Sequence, residues 1–234
     1  GVHLGHQAVI EAARGVGALG VLTFDPHPVQ VLAPDHAPLH ILSSLDQKER
    51  ILSELGVDCL VMIEFSAEFA AREAREFADD LFATGVKKLS AGDDWSFGRG
   101  RKGNMQNLRE WGCESGVEVL EVSAISQDGI RISSTRIRKC LKQDDLEAVA
   151  AMLGRHYSVL GEVVRGRQLG RTIGFPTANI DVADEVLPPN GVYVVEGNGI
   201  LGVANIWTRP TVDASRDLRL EVHLCTDDLA RDYG

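Results

Sequence analysis

The chain has 234 residues, room for one large domain or two modest ones. Hydrophobic residues make up 44% and charged residues 25%, as in a soluble globular protein, and no apolar run is long enough to span a membrane. The net charge of −10 argues against a long nucleic-acid partner, which calls for a basic face, but leaves nucleotides open, since local backbone and a few cations hold them.

The chain opens on Gly1-Val2-His3-Leu4-Gly5-His6, a His-x-Gly-His turn, and an amphipathic stretch from Gln7 to Arg14 follows at once. Backbone N–H groups at a helix start favour anions. Gly5 lets a phosphate approach the backbone closely. His3 and His6 can donate hydrogen bonds to phosphoryl oxygens as charge builds. The same four letters also suit an ordinary turn.

Residues 20–24 form a buried-type strand running into Asp25-Pro26-His27-Pro28, where two prolines leave His27 exposed. That segment reads either as a rigid surface turn or as part of a site. Residues 44–55 have helical spacing, with Ser44 a cap. Residues 59–63 are the next strand, 69–82 a helix, and 88–92 a short strand ending at glycine. The loop 92–103 mixes acids, including Asp94, with Trp95, Phe97, glycines and cations, and reads as a ligand loop against a solvated one. Residues 107–115 are helical and 117–122 alternate like a strand. This β-α-β rhythm predicts a parallel sheet covered by helices, with ligands beyond the strands' carboxyl ends.

Arg131-Ile132-Ser133-Ser134-Thr135-Arg136-Ile137-Arg138 precedes and enters a helix whose inward residues are Ile137 and Leu141. Ser134 or Thr135 either caps that helix or, with Arg138, surrounds a triphosphate. After a helix over 144–153 the rhythm changes to short strands at 161–166, 191–197, 201–206 and 218–224, separated by glycines and prolines. They predict a small antiparallel β-barrel, with the boundary near residue 154. In residues 161–180, glycine-spaced turns that include Gly166, Gly170 and Gly174 let backbone approach a phosphate chain. Thr177 and Asn179 offer oxygen ligands suited to Mg²⁺, or else satisfy local backbone in a barrel turn. Glu221 is the outward residue of an alternating strand, a position more often solvated than catalytic. Cys59, Cys113, Cys140 and Cys225 are far apart and read as reduced thiols of a cytoplasmic protein.

In this order and spacing, the motifs of the first half resemble the adenylyltransferase half of the bacterial bifunctional riboflavin kinase/FMN adenylyltransferase (FAD synthetase) family. The segment Gly161 to Ile180, with its Gly-Phe-Pro-Thr-Ala-Asn core, resembles the riboflavin kinase signature. Residues 191–193, 202–211 and 220–224 extend that match. The resemblance implies a Rossmann-like HxGH nucleotidyltransferase domain over 1–153 and a small antiparallel β-barrel riboflavin kinase domain over 154–234. It implies phosphorylation of riboflavin to FMN and adenylylation of FMN to FAD, from ATP with Mg²⁺. These partners are small molecules, with no nucleic acid and no membrane.

The resemblance also implies roles. His3 and His6 contact ATP phosphates and stabilise the transition state. Ser134, Thr135 and Arg138 match a second phosphate motif, with Arg131 at its start. Asp94 matches a polar position in the family's glycine-rich loop, and His27 a histidine near the reacting groups. Thr177 and Asn179 match Mg-ATP residues, and Glu221 a proposed base.

Four departures stand out. The family's first strand is absent ahead of Gly1, and the last barrel elements are absent after Gly234, as expected of a fragment. Trp207 replaces a usual glycine in a turn, and residues 224–228 replace a Leu-Asp-Phe run. Trp207 and the C-terminal end leave the alternative of an FMN adenylyltransferase with an impaired kinase; a flavin carrier without turnover and, for the first half alone, an HxGH relative acting on another nucleotide are the others.

Overall fold

Helix α1 (Leu4–Ala13) starts inside the His-x-Gly-His motif. The expected turn is therefore a helix N-terminus, with His3 as its N-cap and Gly5 and His6 in its first turn. This computed structural model describes residues 1–15, 17–37, 40–164, 177–182, 185–209 and 217–225. Gly166, Gly170 and Gly174 lie outside them.

By packing, the chain divides into two compact units. The first comprises Gly1–Leu39, Lys48–Ser134 and Met152–Gly154. The second comprises His40–Gln47, Thr135–Ala151 and Arg155–Gly234.

In the first unit, β1 (Gly20–Asp25) is followed by short α2 (Pro28–Leu32), α3 (Leu45–Glu54, its first turn in the second unit) and β2 (Cys59–Glu64). Strands β1 and β2 pair in parallel from Gly20↔Cys59 to Asp25↔Glu64. The helix expected over 69–82 is two helices, α4 (Ala67–Ala70) and α5 (Ala74–Ala83). Ser66 caps the first, and Glu73 opens the second with a capping box to Glu76. The chain breaks at Arg72, whose carbonyl accepts from the Arg99 N–H instead of continuing the helix.

Next come β3 (Lys88–Gly92), the small hairpin β4 (Ser96–Phe97) and β5 (Gly103–Asn104), α6 (Met105–Glu114) and β6 (Glu118–Val122). Strand β6 pairs in parallel with β3. A two-residue turn at Asp128-Gly129, both at positive φ, joins β7 (Ser126–Gln127) to β8 (Ile130–Arg131).

The expected single parallel sheet is thus two separate parallel pairs; among the described residues no strand joins β1 to β3. The apolar side chains divide in the same way. Val2, Ile10, Leu19, Ile51 and Leu52 form one core with Val21 and Leu60 of the first pair. Phe77, Ala78, Phe82, Phe97, Met105 and Leu108 form another with Leu89 and Val119 of the second. Trp95 and Phe97 join this second core, their rings stacked at 4.6 Å, so packing accounts for their burial. Two glycines are required here. A Cβ at Gly98, which has φ of 71°, would lie 2.5 Å from the Ala74 Cα, and one at Gly103 would lie 2.7 Å from the Phe97 ring.

Helices α7 (Ser134–Lys142) and α8 (Leu146–Leu153) follow; all of α7 but Ser134, and α8 up to Ala151, belong to the second unit. The second unit then carries β9 (Glu162–Val164), β10 (Ala178–Asp181), β11 (Gly191–Gly197), β12 (Ile200–Arg209) and β13 (Asp217–Leu224). They form one antiparallel sheet of five strands in the order β11-β12-β13-β10-β9. Side chains alternate between its faces. Ala178, Ala204, Ile206 and Leu220 are buried on one face, over a core that includes Val182. Trp207, expected in a turn, is a strand residue of β12 opposite Arg219.

Candidate functional site

The His3 backbone N–H donates to Nδ1 of His6 at 3.3 Å, and the two imidazoles stack with centroids 3.8 Å apart. His3 is buried. Gly5 earns its place through space: a Cβ there would sit 3.1 Å from both Cε1 and Nδ1 of the His3 ring. Because Nδ1 of His6 accepts, its ring proton is assigned to Nε2, which becomes the donor. Burial, and then the neighbouring His3, push His6 from 6.5 down to about 3. By surface area His6 is an exposed residue, so water offsets part of that shift. At neutral pH His6 is an uncharged hydrogen-bond donor at the N-terminus of a ten-residue helix.

Between about 3 and 6.5 the unfolded chain holds a proton on residue 6 that the folded chain lacks. Stability from this group is therefore complete above 6.5 and falls as the pH drops through that window. Urea denaturation at pH 7 and pH 4.5 should show a lower midpoint in acid. His6→Asn should flatten part of that difference; an unchanged difference would mean His6 is not the titrating group.

His27 lies just past the carboxyl end of β1, after a cis Asp25–Pro26 bond, and is exposed as expected. It caps α2: its Nδ1 accepts from the Val29 N–H at 3.3 Å, and its own N–H donates to Gln30 Oε1 at 3.0 Å. Beyond the carboxyl end of β3, the Asp93 N–H donates to the Val122 carbonyl at 3.0 Å, and Asp93 Oδ2 accepts from the Ala124 N–H at 3.2 Å. This ties the loop to the end of β6. The structure brings two of the expected site residues together here. Arg131, on β8, places Nη2 2.7 Å from Asp94 Oδ2 and 3.9 Å from Asp93 Oδ1. An exposed pair of this kind adds little stability, so its effect is to orient the guanidinium.

Helix α7 begins at Ser134, which leaves Ser133 at the capping position expected for Ser134 or Thr135. Ser134 and Thr135 instead stand in the first turn, where N–H groups lack intrahelical acceptors. Ile137 and Leu141 are fully buried, as their spacing predicts. Arg138 donates from Nε to the His40 carbonyl at 3.2 Å, and burial lowers its pKa from the ordinary value without threatening its charge.

In the second unit, Thr177 precedes β10, and Asn179 lies within that strand rather than in the expected turn. The sheet register sets Asn179 directly opposite Glu221, and Glu221 directly opposite Asn205. Three polar residues on three adjacent strands therefore form one row on the face away from the buried Ile206 and Leu220. Asn205 is the member that sequence reasoning passed over, although the alternation of Val203-Ala204-Asn205-Ile206 places it on the same face as Trp207. Hydroxyl, amide oxygen and carboxylate are hard donors, and Thr177 and Asn179 fit Mg²⁺ in their chemistry. Among the described residues no group of three or more His, Cys, Asp or Glu side chains could hold a metal by itself.

Residues 1–136 match the family model described as FAD synthetase, and residues 153–233 match that of riboflavin kinase. The bifunctional riboflavin kinase/FMN adenylyltransferase of Escherichia coli (strain K12) is 42% identical over 247 residues, covering 100% of this chain and 78% of the relative. The chain belongs to the FAD synthetase/riboflavin kinase family. A relative of the same description from Listeria monocytogenes is 37% identical, covering 96% of this chain and 74% of its own length. A solved structure from Streptococcus pneumoniae, described as a macrolide-efflux protein, superimposes with a TM-score of 0.83 at 30% identity. It covers 99% of this chain and 78% of that one. Among the described residues of this family member, no helix is long and apolar enough to cross a membrane.

Proposed function

We propose that the chain makes FMN from riboflavin and ATP, and then FAD from FMN and a second ATP. The tandem match of both family models on one chain carries this reading. In the first reaction the riboflavin 5′-hydroxyl attacks the γ-phosphorus, Glu221 accepts the hydroxyl proton, and ADP leaves. The register of Glu221 beside Asn179 supports it, since the base and an ATP-side ligand then share one face. Thr177 and Asn179 would hold Mg²⁺, which neutralises phosphate charge when bound.

In the second reaction an FMN phosphate oxygen attacks the α-phosphorus of ATP and pyrophosphate leaves, with no covalent enzyme intermediate. His3 and His6, the first-turn N–H groups of α1, Ser134, Thr135 and Arg138 bind the phosphates. His6 supports this role as a neutral donor through Nε2. Arg131, oriented by Asp94, serves the same triphosphate, and His27 lies near the reacting groups. Gly5 leaves room for the His3 ring. Gly166, Gly170 and Gly174 cradle the kinase ATP.

The same reading places the boundary between the two activities near residue 154. It assigns the parallel pairs to a Rossmann-like sheet and the antiparallel sheet to a barrel. The four cysteines are free, which suits a reducing cytoplasm. No observation favours an impaired kinase.

The test is direct. The chain with riboflavin, ATP and Mg²⁺ should yield FMN and then FAD, separated by fluorescence chromatography. FAD from supplied FMN, without FMN from riboflavin, would leave the adenylyltransferase alone. Neither product, despite tight flavin binding, would leave a carrier.

A further inference from the structure

Arg138 is anchored by His40, whose segment is held in turn by two other distant stretches of sequence, all within the second unit. Its Nε donates to the His40 carbonyl. The segment that follows His40 is strapped to residues 185–186. Ile41 bridges Glu185 in parallel, and the Val186 N–H donates to the Ile41 carbonyl at 2.9 Å. The Ser44 N–H donates to Glu185 Oε1 at 2.7 Å. The other carboxylate oxygen accepts from the Leu160 N–H at 3.0 Å. The Tyr157 hydroxyl donates to the Val186 carbonyl at 2.8 Å. Gln47 closes the strap with bonds from Nε2 to the Ser158 carbonyl and Oγ at 2.7 and 3.0 Å.

This arrangement is buried: Glu185 is 3% exposed and Leu42 3%. A buried carboxylate that loses its N–H donors is costly, so the strap has one well-determined geometry. Tyr157 also lies within electrostatic reach of both charged groups. Burial raises its phenol, Glu185 raises it further, and Arg138 opposes the rise. Riboflavin phosphorylation as proposed above uses neither Tyr157 nor Glu185.

We infer that Tyr157 and Glu185 are positioning residues for Arg138. They fix the 40–44 segment, whose carbonyl at His40 anchors Nε and leaves the terminal nitrogens of the guanidinium to meet phosphate oxygens. Residues inside the riboflavin kinase match thus set the geometry of adenylyl transfer. The inference rests on the reading of Arg138 as an ATP-phosphate ligand.

Both reactions are measured on the whole chain, so that phosphorylation of riboflavin reports on folding in each preparation. Tyr157→Phe should slow FMN adenylylation about tenfold, through misplacement of Arg138, and leave riboflavin phosphorylation unchanged. Glu185→Ala should do the same more strongly. In an Arg138→Ala background, Tyr157→Phe should add nothing, because its effect passes through the missing guanidinium. A merely structural role would slow both reactions alike, or multiply with Arg138→Ala; either outcome overturns the inference. Silent Tyr157→Phe and Glu185→Ala beside a damaged Arg138→Ala also overturn it, and leave the phosphate-ligand reading standing. Undiminished adenylylation in Arg138→Ala overturns that reading, and the inference with it.

Discussion

Glu221→Gln should lower FMN formation from riboflavin by a factor of about 10² to 10⁴, the range for loss of a positioned base, and leave conversion of supplied FMN to FAD untouched. The substitution keeps the size of the side chain and removes its capacity to take a proton. Residue 221 lies between Asn179 and Asn205 in the sheet register, on the face away from the buried Leu220, so packing changes little. Surface-facing exchanges of this kind shift stability by only about 0.5 kcal/mol. The split between two reactions of one molecule is the informative quantity, read beside an unchanged thermal melt, since a folding defect confined to the riboflavin kinase match would also lower FMN formation alone. Flavin chromatography with riboflavin in one reaction and FMN in the other measures it. Loss of both activities in a folded variant would remove Glu221 from the kinase site.

The row that carries this prediction shows what sequence alone conveys. The strand over 191–197 is where its alternation placed it, and that over 218–224 is within one residue. Alternation also shows that Glu221 faces away from the core. It does not show which residue lies across from it, because register depends on pairing between segments some forty residues apart. Asn179 reads as a turn residue because glycines and Pro176 dominate its neighbourhood; the alternation of Ala178, Ile180 and Val182 is the quieter signal of β10.

In the first half, the Asp128-Gly129 dipeptide between short extended runs is the hairpin signal that places Arg131 on β8. The spacing over 69–82 reads as one helix because apolar residues persist on either side of Arg72. The meeting of Arg138 with His40, and of Ser44 with Glu185, has no local signature at all. Hydrogen bonds across such separations are set by the fold and not by any window of sequence.

His6→Ala should have the opposite effect to Glu221→Gln: FAD formation from FMN falls by about 10² to 10³, as for loss of one oxyanion donor, while FMN formation from riboflavin continues. Alanine alone leaves the cause open, because His6 has two jobs. Its Nδ1 accepts the His3 N–H, and its ring stacks on His3, so its removal also disturbs the first turn of α1. Two further variants separate the jobs. Asparagine can place an amide oxygen near the position of Nδ1 and so preserve the bond from His3, but it has no atom that reaches where Nε2 stands. Glutamine can place an amide N–H near Nε2. If the Nε2 donor stabilises the transition state, His6→Asn should be nearly as slow as His6→Ala, and His6→Gln should recover part of the rate. If the helix start is what matters, His6→Asn should be the faster of the two. Because His6 is an uncharged donor at neutral pH, the rate of the unsubstituted chain should show no step from residue 6 between pH 6 and pH 8, a range in which an imidazolium of ordinary pKa would lose its proton.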